Sequence, residues 1–469
     1  MSLAELTAGD WFVLARHELF LFAGTLFLIG AIDELIVDLA YLWLRLTGRV
    51  RTPRIDEAKL CGRPLGGRCA VFVPAWQEQG VIAATIRHAL TAWPQRDLRL
   101  YVGCYRSDAA TLAAAMAGCA GDARTRLVIH DAAGPSCKAD CLNRLYRALQ
   151  DDEAREGALA RMVVLHDAED MVDPAALPLL DAALEHADFV QLPVLALPHP
   201  SSPLVSGHYS DEFSESHAKA MVVRSALGQG IPGAGVGCAI ARPWLARLDA
   251  QRGKTGPFAT GALTEDYELG LQSAALGARG SFLRVRTVTG RLIATRAYFP
   301  ISMQTAIRQK ARWINGIALQ GWDRLGWQGS PVALWMQLRD RRGPIAALLL
   351  ALAYLLVVVV GIEWALTRAG LLVAMPLSPL METLLWLNVA ALAWRLAARA
   401  VFTAREFGAA QGALAIPRVV VSNTVAIVAA RRALFAYARS LRGARVAWDK
   451  TEHTSHPAFA HTAQVERGS

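Results

Sequence analysis

Three long apolar segments constrain the fold of this 469-residue chain more than any other feature. They cover Leu19–Leu44, Pro344–Leu366 and Leu380–Ala400, and each is long enough to cross a lipid bilayer with some tilt. Hydrophobic residues make up 54% of the chain and charged residues only 19%, which is too apolar for a purely soluble protein. We therefore predict a membrane helix with its basic flank in residues 1–55, a globular domain in 56–335, and further membrane helices, interfacial helices and a tail in 336–469.

Basic residues indicate how these segments are oriented. The net charge is +9, and the arginine excess lies in Arg45–Arg54, Leu338–Arg342 and Arg395–Arg445, beside the apolar segments. Since positive flanks stay in the cytoplasm, the N-terminus is expected outside and the globular domain inside. The last apolar run, Val419–Ala430, has only 12 residues and is predicted to lie in the interface, which leaves the C-terminus in the cytoplasm. Basic residues do not alternate with aromatic ones, so nucleic acid is not an expected partner.

Acidic residues interrupt the first apolar segment at Asp33, Glu34 and Asp38. Charged groups at membrane depth are costly and are usually paired. Counting depth along the helices predicts that Asp38 pairs with Arg395 of the third segment. The alternative is that Asp38 reaches the cytoplasmic headgroups while the other two acids line a wet cavity.

Strand and helix patterns alternate through the globular region, which is typical of βαβ units and a mostly parallel sheet. Helices are predicted over Gln79–Trp93, Lys138–Gln150, Ser210–Leu227 and Thr264–Leu276, the last with Thr264 as its N-cap. The glycine-rich stretch Ile231–Cys238 follows a helix and is not GxGxxG, so it is not a dinucleotide fingerprint. Predicted strands are Arg68–Trp76, Leu98–Tyr105, Arg126–His130, Arg161–Leu165 and Phe189–Leu192.

The segment His166–Pro174, HDAEDMVDP, follows the fourth predicted strand. Ligands of open α/β sheets bind at the carboxyl ends of the strands, so its acids lie where a ligand is expected. Asp167 and Glu169 are two residues apart and face the same side of an extended chain. Two carboxylates there suit a divalent cation that also holds a diphosphate. The alternative is a solvated acidic turn closed by Pro174.

Further polar motifs occur in the order expected of one active site. The first strand ends in a carboxylate, and an aspartate follows the second strand. A lysine begins a helix, where the backbone N–H groups favour a phosphate. Of two later motifs, one carries two acids and the other carries a guanidinium and an indole. Individually each motif is weak. They are Val73–Glu78 (VPAWQE), Asp108, Lys138–Asn143 (KADCLN), Thr264–Asp266 (TED) and Gln309–Trp313 (QKARW).

Together these motifs resemble the inverting, membrane-integrated glycosyltransferases of family 2, such as cellulose synthase catalytic subunits and hyaluronan synthases. The resemblance covers Arg68 to about Trp313. HDAEDMVDP, YSDEFSESHAK and WDKTEH are most similar to the bacteriophage adsorption protein B group of that family. The resemblance implies a GT-A fold, Mg²⁺ or Mn²⁺, and a catalytic domain on the cytoplasmic side of a bacterial inner membrane. It also implies a UDP-sugar donor, a growing glycan acceptor, and processive synthesis of a polysaccharide with an outer-membrane or periplasmic export partner.

The resemblance also implies a role for each matching residue. Glu78 and Asp108 hold the nucleoside, Lys138 lies near the diphosphate, and Asp167 with Glu169 holds the metal, with Asp170 as an alternative ligand. Asp266 is the catalytic base beside Glu265. Gln309 and Arg312 close over the diphosphate, and Trp313 lines the acceptor site. Gln191 of the FVQLP segment lies near the acceptor, or else in an internal strand. Trp448, Lys450 and Thr451 resemble a gating motif, or else belong to a surface tail.

Two other functions remain open from the sequence. One is transfer of a single sugar to a lipid carrier. QKARW argues for processive synthesis instead, but only three spans would make a narrow channel for a polymer. The other is a membrane assembly or receptor component without catalysis. The intact Asp167, Asp266 and QKARW motifs weigh against the second.

Overall fold

The computed structural model describes residues 7–132, 134, 136–373, 376–443 and 456–458. The gating candidates Trp448, Lys450 and Thr451 lie outside the described residues, so their predicted role stays a prediction.

A seven-stranded sheet forms the centre of the globular domain, in the order β4-β3-β2-β5-β8-β6-β9. Only β8 runs antiparallel to its neighbours, β5 and β6, which confirms the predicted mixed, mostly parallel sheet. The strands are β1 (Arg54–Ile55), β2 (Cys69–Pro74), β3 (Leu98–Tyr105), β4 (Thr125–His130), β5 (Met162–Leu165), β6 (Phe189–Gln191), β7 (Val194–Leu197), β8 (Cys238–Ala241), β9 (Gly280–Phe282), β10 (Arg286–Thr287) and β11 (Thr295–Tyr298).

Helices cover both faces of the sheet and continue into the apolar part of the chain. They are α1 (Ala8–Leu46), α2 (Glu57–Cys61), α3 (Ile82–Ala92), α4 (Ala109–Cys119), α5 (Lys138–Glu156), α6 (Ala176–Ala183), α7 (Val205–Glu215), α8 (Met221–Ala226), α9 (Arg242–Gln251), α10 (Glu265–Ala275), α11 (Met303–Ile314), α12 (Gly321–Leu325), α13 (Pro331–Arg341), α14 (Gly343–Arg368), α15 (Pro379–Phe407) and α16 (Ala409–Ser440). Two π-helical turns, Ser216–Ala220 and Asn315–Gln320, join α7 to α8 and α11 to α12.

The central strand β2 explains why the sheet is buried on both sides. Cys69, Val71 and Val73 face one hydrophobic core, while Ala70 and Phe72 face the other. A strand covered on both faces is apolar throughout, because neither set of alternating side chains meets water. The carboxyl ends of β2, β3 and β5 meet at one edge, and this edge holds the predicted acidic motifs.

Among the described residues, four helices are long and apolar enough to cross a membrane: Gly9–Leu46, Gly343–Arg368, Pro379–Phe407 and Ala409–Ser440. The last corrects our sequence analysis, because Val419–Ala430 is only the apolar middle of a helix of 32 residues. The helix extends through Arg418, which is 1% exposed and pairs with Asp211 of α7 at 3.0 Å. A buried ion pair therefore lets the helix begin ten residues before the apolar run, and length no longer excludes a crossing.

Both ends of the apolar part of α16 contact the globular domain. The Arg418 guanidinium reaches α7 and donates to the Pro203 carbonyl at 2.7 Å. Farther along, the Tyr437 hydroxyl donates to the Asp323 carboxylate of α12 at 2.6 Å. Along its length, α16 packs against α11 and α15.

The predicted pair between Asp38 and Arg395 is wrong. Arg395 instead pairs with Glu34 at 2.7 Å, while Asp38 accepts a hydrogen bond from the Trp394 indole at 2.7 Å and pairs with Lys219. Helical rotation decides this, since α15 turns its adjacent residues 394 and 395 toward different acids of α1.

Two sets of ion pairs show where the acids of α1 lie along the neighbouring helix α14. Arg16 pairs with Glu363 at 2.5 Å, and Arg342 pairs with Asp33. Residues 342 and 363 are separated by about 30 Å at 1.5 Å per residue, close to the thickness of a bilayer's hydrocarbon core. Asp33 and Glu34 therefore lie beside the first residues of α14, about 30 Å along that helix from the pair between Arg16 and Glu363.

Candidate active site

A cavity of about 450 Å³ opens at the carboxyl edge of the sheet, beside β2, β5 and β11. Residues from well-separated parts of the sequence line it, and they include most of those predicted from the motifs. These are Glu78, Lys138, Asp167, Glu169, Glu265, Asp266, Gln309, Arg312 and Trp313.

The acidic motif after β5 forms a tight turn. The Asp167 amide donates to the Asp170 carboxylate at 2.9 Å, and the His166 ring contacts the same carboxylate at 2.9 Å. The Asp170 carboxylate is thereby held within the turn, and Asp167, Glu169 and Asp170 all line the cavity. The two predicted ligands share one side because the chain turns, and not because it is extended.

Lys138 opens α5 as predicted and lies between the two acidic motifs. Its ammonium is 2.6 Å from the Asp167 carboxylate and 3.7 Å from the Glu265 carboxylate. Burial lowers the pKa of the Lys138 amine, but Asp167, Glu265 and Asp266 together outweigh burial and raise the pKa above its ordinary value. Lys138 therefore stays charged at neutral pH.

The TED acids begin α10. Burial raises the pKa of the Glu265 carboxyl to about 7, against the opposing effect of Lys138. Burial also raises the pKa of Asp266, and Lys138 again opposes the shift. The Asp266 carboxylate accepts a hydrogen bond from the Tyr267 amide at 2.8 Å. A carboxylate with a raised pKa is a stronger base, as a proton acceptor in catalysis requires.

The glycine-rich loop before β8, whose role the sequence did not indicate, packs against the TED helix. At Gly235, where φ is +80°, an added Cβ would lie 2.5 Å from the Asp266 carboxylate. At Gly233 it would lie 2.6 Å from the Asp266 carbonyl. Only glycine permits this close approach, so the loop fixes the position of Asp266.

Gln191 holds the same loop from behind. Its amide nitrogen donates to the Val236 carbonyl at 2.8 Å, and its oxygen accepts from the Ala234 amide at 2.8 Å. Gln191 is fully buried in β6 and does not line the cavity. The internal-strand alternative fits this placement, and the structure gives Gln191 a positioning role for the loop.

The QKARW motif lies at the C-terminal end of α11. Gln309 and Arg312 face the cavity, and within the described part of the chain the Gln309 oxygen and the Arg312 Nε have no hydrogen-bond partner. The π-helical turn that follows brings Gly316 against Thr264, where an added Cβ would lie 2.6 Å from the Thr264 hydroxyl. Thr264 occupies the N-cap position of α10 but makes no capping hydrogen bond. The two motifs are thus in direct contact.

Aromatic residues surround Trp313 at one end of the cavity. Its ring lies 6.3 Å from Phe213 and 6.4 Å from Phe299, measured between centroids, and Lys310 lies over it at 5.2 Å. The sequence analysis missed Phe213, Phe299 and Tyr298 as lining residues. Their motifs carry no distinctive spacing, and only tertiary packing brings them to Trp313.

Asp108 and Glu78 lie in the turns that follow β3 and β2. The Asp108 carboxylate caps α4 by accepting from the Thr111 amide at 3.2 Å, and it accepts from the Gln77 amide at 2.5 Å. Asp108 does not line the cavity, whereas Glu78 does. Asp108 therefore shapes the turn that carries Glu78.

The donor set at the turn after β5 fits a hard divalent cation. Within the described ranges, no cluster of three or more histidine, cysteine, aspartate or glutamate side chains forms a closed metal site. Asp167 and Glu169 nevertheless offer carboxylate oxygens on the cavity side, and the Lys138 ammonium already occupies a position between carboxylates. Mg²⁺ is commonly held by one or two carboxylates together with substrate phosphates, so an incomplete protein cage is what such a site requires.

A short C-terminal segment also reaches this turn. His456 is 1% exposed, and its ring lies 3.2 Å from the Asp170 carbonyl. The described residues 456–458 therefore lie on the same side of the molecule as the cavity.

Comparison with known proteins identifies the class of this site. The profile of the family described as "Glycosyltransferase like family 2" matches residues 67–316, more than half of the chain. The chain belongs to this family.

Two individual proteins are similar to this chain along most of its length. The chain is 33% identical over 452 residues to bacteriophage adsorption protein B of Escherichia coli strain K12, and equally to bacteriophage N4 adsorption protein B of Escherichia coli O157:H7. These alignments cover 91% of this chain and 60% of each relative, so the chain spans less than two thirds of the relatives' length.

A solved structure confirms the fold. A mannosyltransferase from Pyrobaculum calidifontis, in complex with GDP-Man and Mn²⁺, superposes with a TM-score of 0.53 at 16% identity. The match covers 90% of this chain and 99% of that protein. The similarity extends beyond the sheet to the helices that follow it and supports the predicted GT-A fold.

Proposed function

We propose that this protein is an inverting glycosyltransferase that uses a UDP-sugar to build a polysaccharide on a growing glycan acceptor. The observation that carries this proposal is the convergence of Lys138, Asp167, Asp266 and Arg312 on one cavity that ends in the aromatic group around Trp313. Charged groups for a diphosphate, a base and a sugar-stacking surface then lie in the order that the reaction needs.

Each side chain has a chemical task in this proposal. Asp167 and Glu169 would hold Mg²⁺ or Mn²⁺, which neutralises charge on the departing diphosphate when bound. Lys138 and Arg312 supply further positive charge to the same leaving group. Asp266 accepts the proton of the acceptor hydroxyl as that oxygen attacks the anomeric carbon from the side opposite the departing diphosphate.

Trp313 and its aromatic neighbours support a sugar acceptor. Phe213 and Phe299 fix the indole in place, and its exposed part faces the cavity, where a sugar ring can stack. The same helix, α11, packs on α16 beside the membrane helices. An acceptor leaving Trp313 would thus meet the membrane part of the chain directly, which favours processive synthesis over release into the cytoplasm.

We further propose that α1, α14 and α15 cross the membrane and that α16 does not. Glu406, at the end of α15, pairs with Arg286 at 2.6 Å, so α16 begins on the side of the catalytic domain. Tyr437, near its end, and His456 beyond it contact the same domain. A helix that starts and ends on one side lies along the surface, and the positive-inside rule makes that side cytoplasmic.

The experiment offers membranes containing the full chain a panel of labelled UDP-sugars, with and without Mg²⁺ or Mn²⁺, and sizes the product. We expect one donor to yield a polymer whose long chains appear before substrate is depleted. The Asp266→Asn variant serves as a negative control and should lose about 10²–10⁴-fold in rate while keeping UDP binding. A product that stays a single-sugar lipid adduct would favour a lipid-carrier transferase, and absence of transfer from every donor would favour a component without catalysis.

A further inference from the structure

A second cavity, larger than the first at about 980 Å³, lies between α8, α10, α12 and α13, away from the acidic motifs. Five arginines and five glutamines line it, and its described lining residues include no aspartate or glutamate. The arginines are Arg224, Arg252, Arg279, Arg324 and Arg341. Nothing in the sugar-transfer reaction requires this cavity.

Three of the arginines form ion pairs with acids that do not line the cavity. Arg224 pairs with Asp340 at 2.8 Å, Arg324 with Glu268 at 2.6 Å, and Arg279 with Asp188 at 3.4 Å. These pairs fix the guanidinium groups in place, but they cancel the charge of only these three residues.

Arg252 and Arg341 have no carboxylate partner among the described residues. Arg252 donates to the Gln272 side chain, while Arg341 donates to the Gly326 carbonyl at 2.6 Å and lies 4.6 Å from the Trp327 ring. Arg341 is only 5% exposed, and the Nε atoms of both arginines are buried without a hydrogen-bond partner. An uncompensated charge with an unused donor is costly to bury, so an anion at this place would be stabilising.

The shape and chemistry of the cavity favour phosphate among the anions. A guanidinium presents a planar fork of donors that matches phosphate oxygens two at a time. Two guanidinium groups without a carboxylate partner in the described part of the chain therefore suit one diphosphate or two phosphate groups, while neutral glutamines can bind the rest of a polar ligand. The volume exceeds what an inorganic ion alone would fill.

We propose that this arginine cavity is a second binding site, for a ligand that carries a phosphate or diphosphate group. Such a group has two sources. One is a soluble phosphorylated molecule, and the other is a phospholipid headgroup, because α13 forms one wall and leads within two residues into the membrane helix α14.

The site is physically connected to the catalytic one through Arg324. This side chain lines the second cavity, pairs with Glu268 of the helix that carries Asp266, and lies 3.1 Å from where a Cβ on Gly261 would be. Gly261 lines the catalytic cavity. A ligand among the arginines therefore contacts the helix that carries Asp266 and lies one side chain away from the catalytic cavity.

The test measures inorganic pyrophosphate binding by calorimetry, with the full chain in a maltoside detergent that carries no phosphate, and with EDTA present to suppress metal-dependent binding at the catalytic site. The test variant is Arg252→Gln, and the matched control is Arg247→Gln, an exposed arginine of α9 that stacks on Trp244 outside the cavity. Arg252→Lys keeps the positive charge but lacks the planar pair of guanidinium donors, so it shows whether phosphate binding depends on that planar geometry. Thermal unfolding of each variant checks that the fold is kept.

Binding that Arg252→Gln weakens about tenfold or more, the loss expected for one charge-assisted hydrogen bond, supports a soluble phosphorylated ligand. If pyrophosphate does not bind, the second arm measures phosphatidylglycerol retained on protein transferred from mixed-lipid membranes. Retention reduced by Arg252→Gln but not by Arg247→Gln supports a headgroup site. If neither probe binds, or both variants behave like the wild-type protein, the proposal is overturned.

Discussion

Replacing Gly235 by alanine tests whether the glycine-rich loop positions the catalytic base. The added Cβ would lie 2.5 Å from the Asp266 carboxylate, whereas ordinary contact begins at 3.4 Å. The carboxylate must therefore move by about 0.9 Å, the difference between these two distances. A misplacement of about 1 Å in an active site costs roughly 10²-fold in rate, so we expect Gly235→Ala to lose about that much.

The substitution also strains the backbone, and a control must remove this effect. Gly235 has φ of +80°, a conformation that costs alanine about 1 kcal/mol or more. Gly157, after α5, has φ of +66°, and an added Cβ there would meet nothing within 4 Å. Gly157→Ala shares the backbone cost without the contact to Asp266. The two variants should therefore show similar losses of thermal stability and very different losses of transfer rate.

The assay compares initial rates of labelled sugar transfer for the two variants at equal amounts of folded protein. UDP binding should remain near wild type in Gly235→Ala, because the contact is with the base rather than with the predicted metal ligands. If Gly235→Ala transfers sugar within about threefold of Gly157→Ala, the loop does not fix Asp266 and the reasoning fails.

Four further predictions address the metal, the ion pairs, a buried histidine and the topology. EDTA should abolish transfer and Mg²⁺ or Mn²⁺ should restore it, while Asp167→Ala should weaken UDP binding only when metal is present; full activity in chelator contradicts this. Glu34→Gln and Arg395→Gln should each lower the yield of folded protein, and the double variant should lose less than the sum, whereas strict additivity would mean that the pair is not coupled. Burial lowers the pKa of His217 to about 4, below the unfolded value near 6.5, so the unfolded state binds the proton first. The neutral His217 therefore contributes fully to stability above pH 6.5, and this contribution is lost as the pH falls toward 4. Between pH 6.5 and 4, the thermal unfolding temperature should fall less for His217→Gln than for the wild type. A reporter fused after Ser469 should report cytoplasm, and a signal from the other side would mean that α16 crosses.

Many residues that line the cavity could be predicted because their motifs depend on local sequence. An apolar strand followed by acids, as at Asp167, identifies the carboxyl edge of a parallel sheet whatever the surrounding fold. Lys138 and Asp266 begin helices for equally local reasons. All three line the observed cavity. Asp108 and Gln191 were less well predicted, since each supports a cavity-lining segment from behind, and the sequence cannot distinguish a supporting side chain from a contacting one.

From the sequence, the motifs indicated the family through a resemblance, and the hydrophobic pattern predicted five of the seven strands of the central sheet and three of the four long apolar helices. Strand and helix patterns depend on periodicity and composition over a few residues at a time, which is why they can be read locally. Tertiary structure alone decided that Arg395 pairs with Glu34 rather than Asp38, that α16 extends through a buried Arg418, and that Gly235 contacts Asp266. Each of these contacts joins residues far apart in the chain, and helix rotation and close packing select the partner in three dimensions. The arginine cavity has the same origin, because residues from 224 to 341 meet there only after the chain has folded.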